Sequence, residues 1–161
     1  MSVVAGDIKF YLTPTGNADP NLSLGGAGQG SEIGSAIHNI FDRVSPLEAQ
    51  DGDIEYRAID VKNTNVADTL YDAVIWISGE TTSADTTIDI GLDTTTQTVI
   101  NESTAPSGVS FSKPITQGTG LVIGDLAPNA TKRVWLRRTV TAGASILGSD
   151  SGAITVTGGT I

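Results

Sequence analysis

The chain has 161 residues, 18 acidic against 9 basic, a formal charge of −9 and no cysteine. That composition excludes disulfides, thiolate metal sites and a cysteine nucleophile. It also argues against nucleic acid as a partner, because phosphate binding needs a dense positive footprint. A chain of this length can bury about two-thirds of its unfolded surface and needs no covalent or metal staple to fold.

The N-terminus, Met1-Ser-Val-Val-Ala-Gly-Asp7, lacks the basic region and apolar core of a signal peptide. No apolar run approaches a membrane span. The expectation is a soluble protein made in the cytoplasm, with no membrane partner. The chain carries 21 Thr and 19 Gly and few helix formers. β-branched residues suit a pleated, half-buried surface, so an all-β chain is expected.

In chain order, Ile8–Thr13 is the first strand candidate, ended by Pro14 and Gly16. Residues 17–30 form a Gly-rich stretch without periodicity, which predicts an extended arm or loop. Its length points to function or disorder. Ser45-Pro46 with Glu48 predicts one capped helical turn. Residues 54–62 alternate, placing Arg57, Ile59 and Val61 on one face and Tyr56, Ala58 and Asp60 on the other. Residues 72–78 are apolar on both faces, as in a central strand. Thr86–Leu92 directs Ile88, Ile90 and Leu92 inward. Val99-Ile100 and Val109–Phe111 are short strand candidates, and Leu121–Ile123 precedes a Leu126-Ala-Pro128 turn. Residues 131–141 form the longest strand, and Ala153–Thr157 the last. Seven to nine short strands predict an antiparallel β-sandwich of immunoglobulin-like type. The division expected is 1–50 for an N-terminal strand and arm, packed on or extending from the sandwich, and 51–161 for the sandwich.

Catalytic and metal chemistry find little support in the residues. The one histidine, His38, is flanked by apolar residues and expected to be structural, and no Gly-x-Ser-x-Gly elbow occurs. Asp51, Asp53 and Glu55, and Asp85, Asp89 and Asp93, suggest calcium. Neither set has the spacing of a calcium loop, however, and strand positions four apart lie about 13 Å from one another. Gly25–Gly30 lacks the Lys-Ser/Thr ending of a phosphate-binding loop. With 18 acids, a close carboxylate pair carries little information about glycosidase chemistry. The expectation is therefore no catalytic residue, no cofactor and no metal ligand. The three sequons, at Asn21, Asn101 and Asn129, carry no weight without a secretion signal.

Binding is the stronger expectation. Arg133, Trp135 and Arg137 share one strand face, and Trp with Arg dominates interface energetics. The alternative is that Trp135 packs beneath a loop with the arginines over it. In the arm, Leu22, Leu24, Ile33 and Ile37 are apolar side chains able to order on a neighbouring subunit.

The sequence from Glu55–Thr64 through Val74–Ser78 to Gly124–Val140 resembles immunoglobulin-like accessory domains. It is also similar to small structural proteins encoded among the head and tail genes of tailed bacteriophages. Gly6-Asp-Ile-Lys-Phe-Tyr-Leu12, Asp19–Gly26 and Asn101–Phe111 fit the same pattern. The resemblance implies a non-enzymatic virion structural protein, assembled in the host cytoplasm. Its favoured form is a capsid decoration (cement) protein that oligomerises and binds the major capsid protein or another virion protein. The alternative is a tail- or fibre-associated receptor- or carbohydrate-binding module. An enzyme is the third reading, with no converging cluster to support it.

Overall fold

The computed structural model describes residues 2–145, 147 and 149–160. Eight strands form two antiparallel sheets. They are β1 (Ile8–Leu12), β2 (Asp53–Asn63), β3 (Leu70–Gly79), β4 (Thr86–Asp93), β5 (Phe111–Ser112), β6 (Leu121–Leu126), β7 (Thr131–Val140) and β8 (Ala153–Gly159). One sheet runs β1-β2-β7-β4-β5 and the other β6-β3-β8. The chain is thus the antiparallel β-sandwich that the strand pattern predicts.

Alternation builds the core. Ile59 and Val61 of β2, Val134 and Leu136 of β7 and Ile90 of β4 face Ala73, Ile75 and Ile77 of β3 and Ile123 and Leu126 of β6. All of these are buried, seven of them with no exposed surface at all. Two turns lock the sheets together. The Asn63 side chain donates to Leu126 O at 2.9 Å and to Asp68 O at 2.9 Å. This ties the end of β2 to the Leu126-Ala-Pro128 turn that launches β7.

The helical turn forms as α1 (Pro46–Asp51). The Glu48 N–H donates to Ser45 Oγ at 3.2 Å, and the Ser45 N–H donates to Glu48 Oε2 at 2.6 Å. Val99-Ile100 is not a strand. Its neighbour Thr98 makes only an isolated bridge to Gly25, and the Val99 N–H donates to Leu24 O. The Val109–Phe111 expectation shrinks to the two-residue β5. Strand β3 is central in its sheet, but its outward residues Val74 and Trp76 are only half-buried because, among the described residues, no further layer covers that face.

Residues 13–33 do not extend away from the sandwich. The arm folds over the outer face of the five-stranded sheet and is fixed at several points. Ser23 O accepts the Ala58 N–H at 2.7 Å, and the Gly26 N–H donates to Gln97 O at 3.0 Å. The Ser23 hydroxyl donates to Ala58 O at 2.6 Å, and the Thr13 N–H donates to Ser23 Oγ at 2.9 Å. Further along, Ser31 O accepts from Leu12 N–H and the Ile33 N–H donates to Phe10 O, so the arm also covers the free edge of β1. The arm's backbone partners lie within its own chain.

Candidate functional site

Strand β7 lies at the middle of the five-stranded sheet, and its arginines each face an acid. Register puts Arg133 opposite Asp60, Arg138 opposite Glu55 and Arg137 opposite Asp89. Each pair is in contact, Arg133 Nε to Asp60 Oδ1 at 2.6 Å and Arg137 NH2 to Asp89 Oδ2 at 2.7 Å. Opposite charges directly across a ladder stabilise it.

On the outer face, Trp135 has no exposed surface. It packs with Ala58 and Val99 beneath Leu24, Val109 and Phe111, and its Nε1–H donates to Asp93 Oδ2 at 2.8 Å. Burial alone would raise the Asp93 pKa. Hydrogen bonds from Thr95, Trp135 and Gln97 hold it below the usual carboxylate value. Arg133 reaches up to donate to Gly26 O at 2.7 Å, bolting the arm to the sheet. Arg137 lies over the Phe111 ring, 5.1 Å from its centroid. The Arg133–Trp135–Arg137 stripe is therefore not an open solvent face, because the arm and residues 97–111 roof it.

Two glycines permit this approach. A Cβ on Gly25, whose φ is +96°, would stand 2.0 Å from Gln97 O and 3.1 Å from Trp135 Cζ2. One on Gly91, opposite Trp135, would meet Val109 Cγ1 at 2.3 Å. Gly25→Ala is expected to cost about 1–3 kcal/mol from backbone conformation alone. Denaturant unfolding would check the cost, and a red shift of Trp135 emission would show the lifted roof.

The inward end of the five-stranded sheet carries a second cluster. Glu55 and Arg57 are almost fully buried on the same face as Ile59. Phe41 is stacked by both Arg57, at 5.5 Å, and Arg138, at 5.0 Å. Arg138 donates to Asp42 O at 2.6 Å and is paired in close contact with Glu55. Arg57 pairs with Glu102 at 2.6 Å. These contacts fasten residues 41–42 and 102 to the sheet.

Burial drives the Glu55 pKa up from 4.5 to about 7. Arg138 and Arg57 pull it back, while Asp42 and Glu102 push it further up. The folded chain then holds more protons than the unfolded one between those two values. Stability is fully present below about pH 4.5 and declines as pH rises through 7, by up to about 3 kcal/mol. Chemical denaturation at pH 5 and pH 8 should show that loss, and Glu55→Gln should flatten it.

Glu48, Asp53 and Glu55 bring carboxylate oxygens within 4.8 Å of one another. A cation there would have to share Glu55 with Arg138, and Glu48 already caps α1. The other acids singled out for calcium are dispersed. Asp85 accepts from the Ser145 N–H, Asp89 pairs with Arg137 and Asp93 with Trp135. His38 is exposed, at φ 57°.

The remaining candidate residues separate by exposure. Leu24 is half-buried under the roof and Ile33 packs against the main core. Leu22 is 59% exposed and Ile37 is 84% exposed. Sequence reasoning missed Ile100, 88% exposed on the roof, because it was assigned to a strand. It also missed Trp76 on the uncovered face of β3, with Val122 69% exposed beside it and Tyr71 37% exposed. Residues 72–78 are apolar on both faces, and that one of those faces meets no second sheet emerges only from the topology.

Exposed apolar groups thus include Leu22 and Ile100 on the roof and Val122 and Tyr71 on the open face of β6-β3-β8, with others such as Ile37, Leu47 and Val66 outside both, while Arg133, Arg137 and Arg138 are each paired within the chain. No family model, curated protein or solved structure matches the chain.

Proposed function

We propose that the chain is a non-enzymatic virion structural protein, a capsid decoration protein that binds the major capsid protein and stabilises the head. The observation that carries this reading is the roof. Loops tied to the sheet by backbone bonds and by Arg133 present Leu22 and Ile100 outward, 59% and 88% exposed. Apolar groups on a rigid loop bind with little ordering cost, which suits a protein that braces an assembly. The likeness of residues 6–12, 19–26 and 101–111 to phage head and tail proteins supports the virion setting.

Co-sedimentation with purified heads and tails of the particle encoded by the same genome tests it. Binding to heads is expected, with loss in Leu22→Asp/Ile100→Asp at unchanged melting temperature. Binding to neither particle, or equal binding by the variant, would overturn it.

A second reading, a tail- or fibre-associated receptor- or carbohydrate-binding module, draws on Trp76 and Tyr71 at the open face of β3. The half-buried ring of Trp76 and the exposed ring of Tyr71 offer apolar stacking surface to such ligands, while the Trp76 Nε1–H is buried. Glycan-array binding abolished by Trp76→Ala would favour it over head decoration.

A further inference from the structure

The four sheet edges are not treated alike. The free side of β1 is occupied by residues 30–33 of the same chain, and β5 is only two residues long. Strand β6 carries Asp125 and a register shift against Ala73 and Val74. These are the devices by which soluble proteins blunt an edge. Strand β8 shares only the register irregularity, at Tyr71/Val74 and Ile77/Gly79 on its β3 side. Ala153-Ile-Thr-Val-Thr-Gly-Gly159 has no charge and no proline, and among the described residues its backbone bonds only to β3.

A groove of about 290 Å³ runs beside that edge, between β8 and the N-terminal segment. Its walls include Val3, Val4, Ala5, Leu70, Val156 and Gly158, and Val4 is 59% exposed. The edge therefore offers both halves of a strand-addition site, a row of unpaired backbone groups and an apolar trough for alternate side chains.

We propose that the occupant is a second copy of β8, pairing antiparallel across a two-fold axis to make one six-stranded sheet. Two observations select a second copy. The chain carries a charge of −9, so copies repel over most of their surface, yet β8 is a neutral strip with nothing to attract a charged peptide. The strand is also self-complementary about Val156. Thr155 and Thr157, which share the outer face with Trp76 and Val74, fall opposite each other, and Thr–Thr pairs stabilise a ladder. Inside, Val156 meets itself, and Ile154 of one copy falls beside Gly158 of the other, which packs against Leu70 and the Tyr71 carbonyl of its own chain. This isologous contact closes after two chains and stands independently of what the dimer binds.

Sedimentation velocity on the full chain, across a concentration series, tests the contact. A mass twice that of the chain is expected. Thr155→Lys/Thr157→Lys sets like charges directly opposite on the outer face, away from the core, and should halve the mass. Thr155→Glu/Thr157→Glu should do the same, and an equimolar mixture of the two variants should recover the dimer. Circular dichroism on each variant confirms that the sandwich is kept. A monomeric wild type, or a folded lysine variant that remains dimeric, would overturn the proposal. So would a mixture that stays monomeric when both variants are folded.

Discussion

Trp135→Ala is expected to destabilise the chain by about 3–5 kcal/mol, the cost of emptying a large aromatic site. The side chain has no exposed surface and holds the roof's apolar contacts together. Its loss also leaves the buried Asp93 carboxylate short of one donor, although Thr95 and Gln97 still bond to it. Trp135→Phe separates the two effects. It keeps much of the packing and removes the hydrogen bond, for a cost of about 1–2 kcal/mol. Equilibrium denaturation of both variants, followed by circular dichroism, measures the difference. Should Trp135→Ala cost less than about 1 kcal/mol, the roof over the five-stranded sheet would not be a structural layer.

The Arg138–Glu55 pair carries the second large effect. Arg138→Met is expected to cost about 3–5 kcal/mol, because it strands a buried carboxylate and releases Asp42. The double variant Arg138→Met/Glu55→Gln should cost less than the sum of its singles, since the uncompensated charge is removed with its partner. The loss from Arg138→Met alone should grow with pH, as Glu55 ionises with only Arg57 beside it. It should shrink toward acid, where the carboxyl takes up a proton. A thermodynamic cycle at two pH values measures both effects. Strict additivity would contradict the pairing.

The strand pattern carried the sandwich because period-2 alternation is a local signal. Tyr56/Ala58 and Arg57/Ile59 separate onto two faces from sequence alone, and Ser45-Pro46 with Glu48 writes its own cap. Less was legible at the candidate site. Whether Trp135 is open or covered depends on a loop from residues 13–30 and another from 97–111, folded from distant positions onto one face. No periodicity encodes that meeting. The Gly-rich arm reads as flexible, yet Gly25 is there because the backbone must pass close to Gln97 and Trp135. Glu55 and Arg57, charges on an otherwise apolar strand face, were a visible anomaly. The partner that explains them, Arg138, lies across the ladder and emerges only from the register. Trp76 lies on a strand that is apolar on both sides, which predicts a central strand, but only one side meets a second sheet.

The two tryptophans report separately on the closed five-stranded face and the open three-stranded one. Acrylamide quenching of Trp76→Phe, with Trp135 as its single emitter, is the most direct test. Trp135 should emit in the blue and be nearly unquenched, while Trp76 in the Trp135→Phe variant should be readily quenched. A Trp135 as accessible as a free indole in the folded protein would contradict the roof, and with it the surface on which binding is proposed.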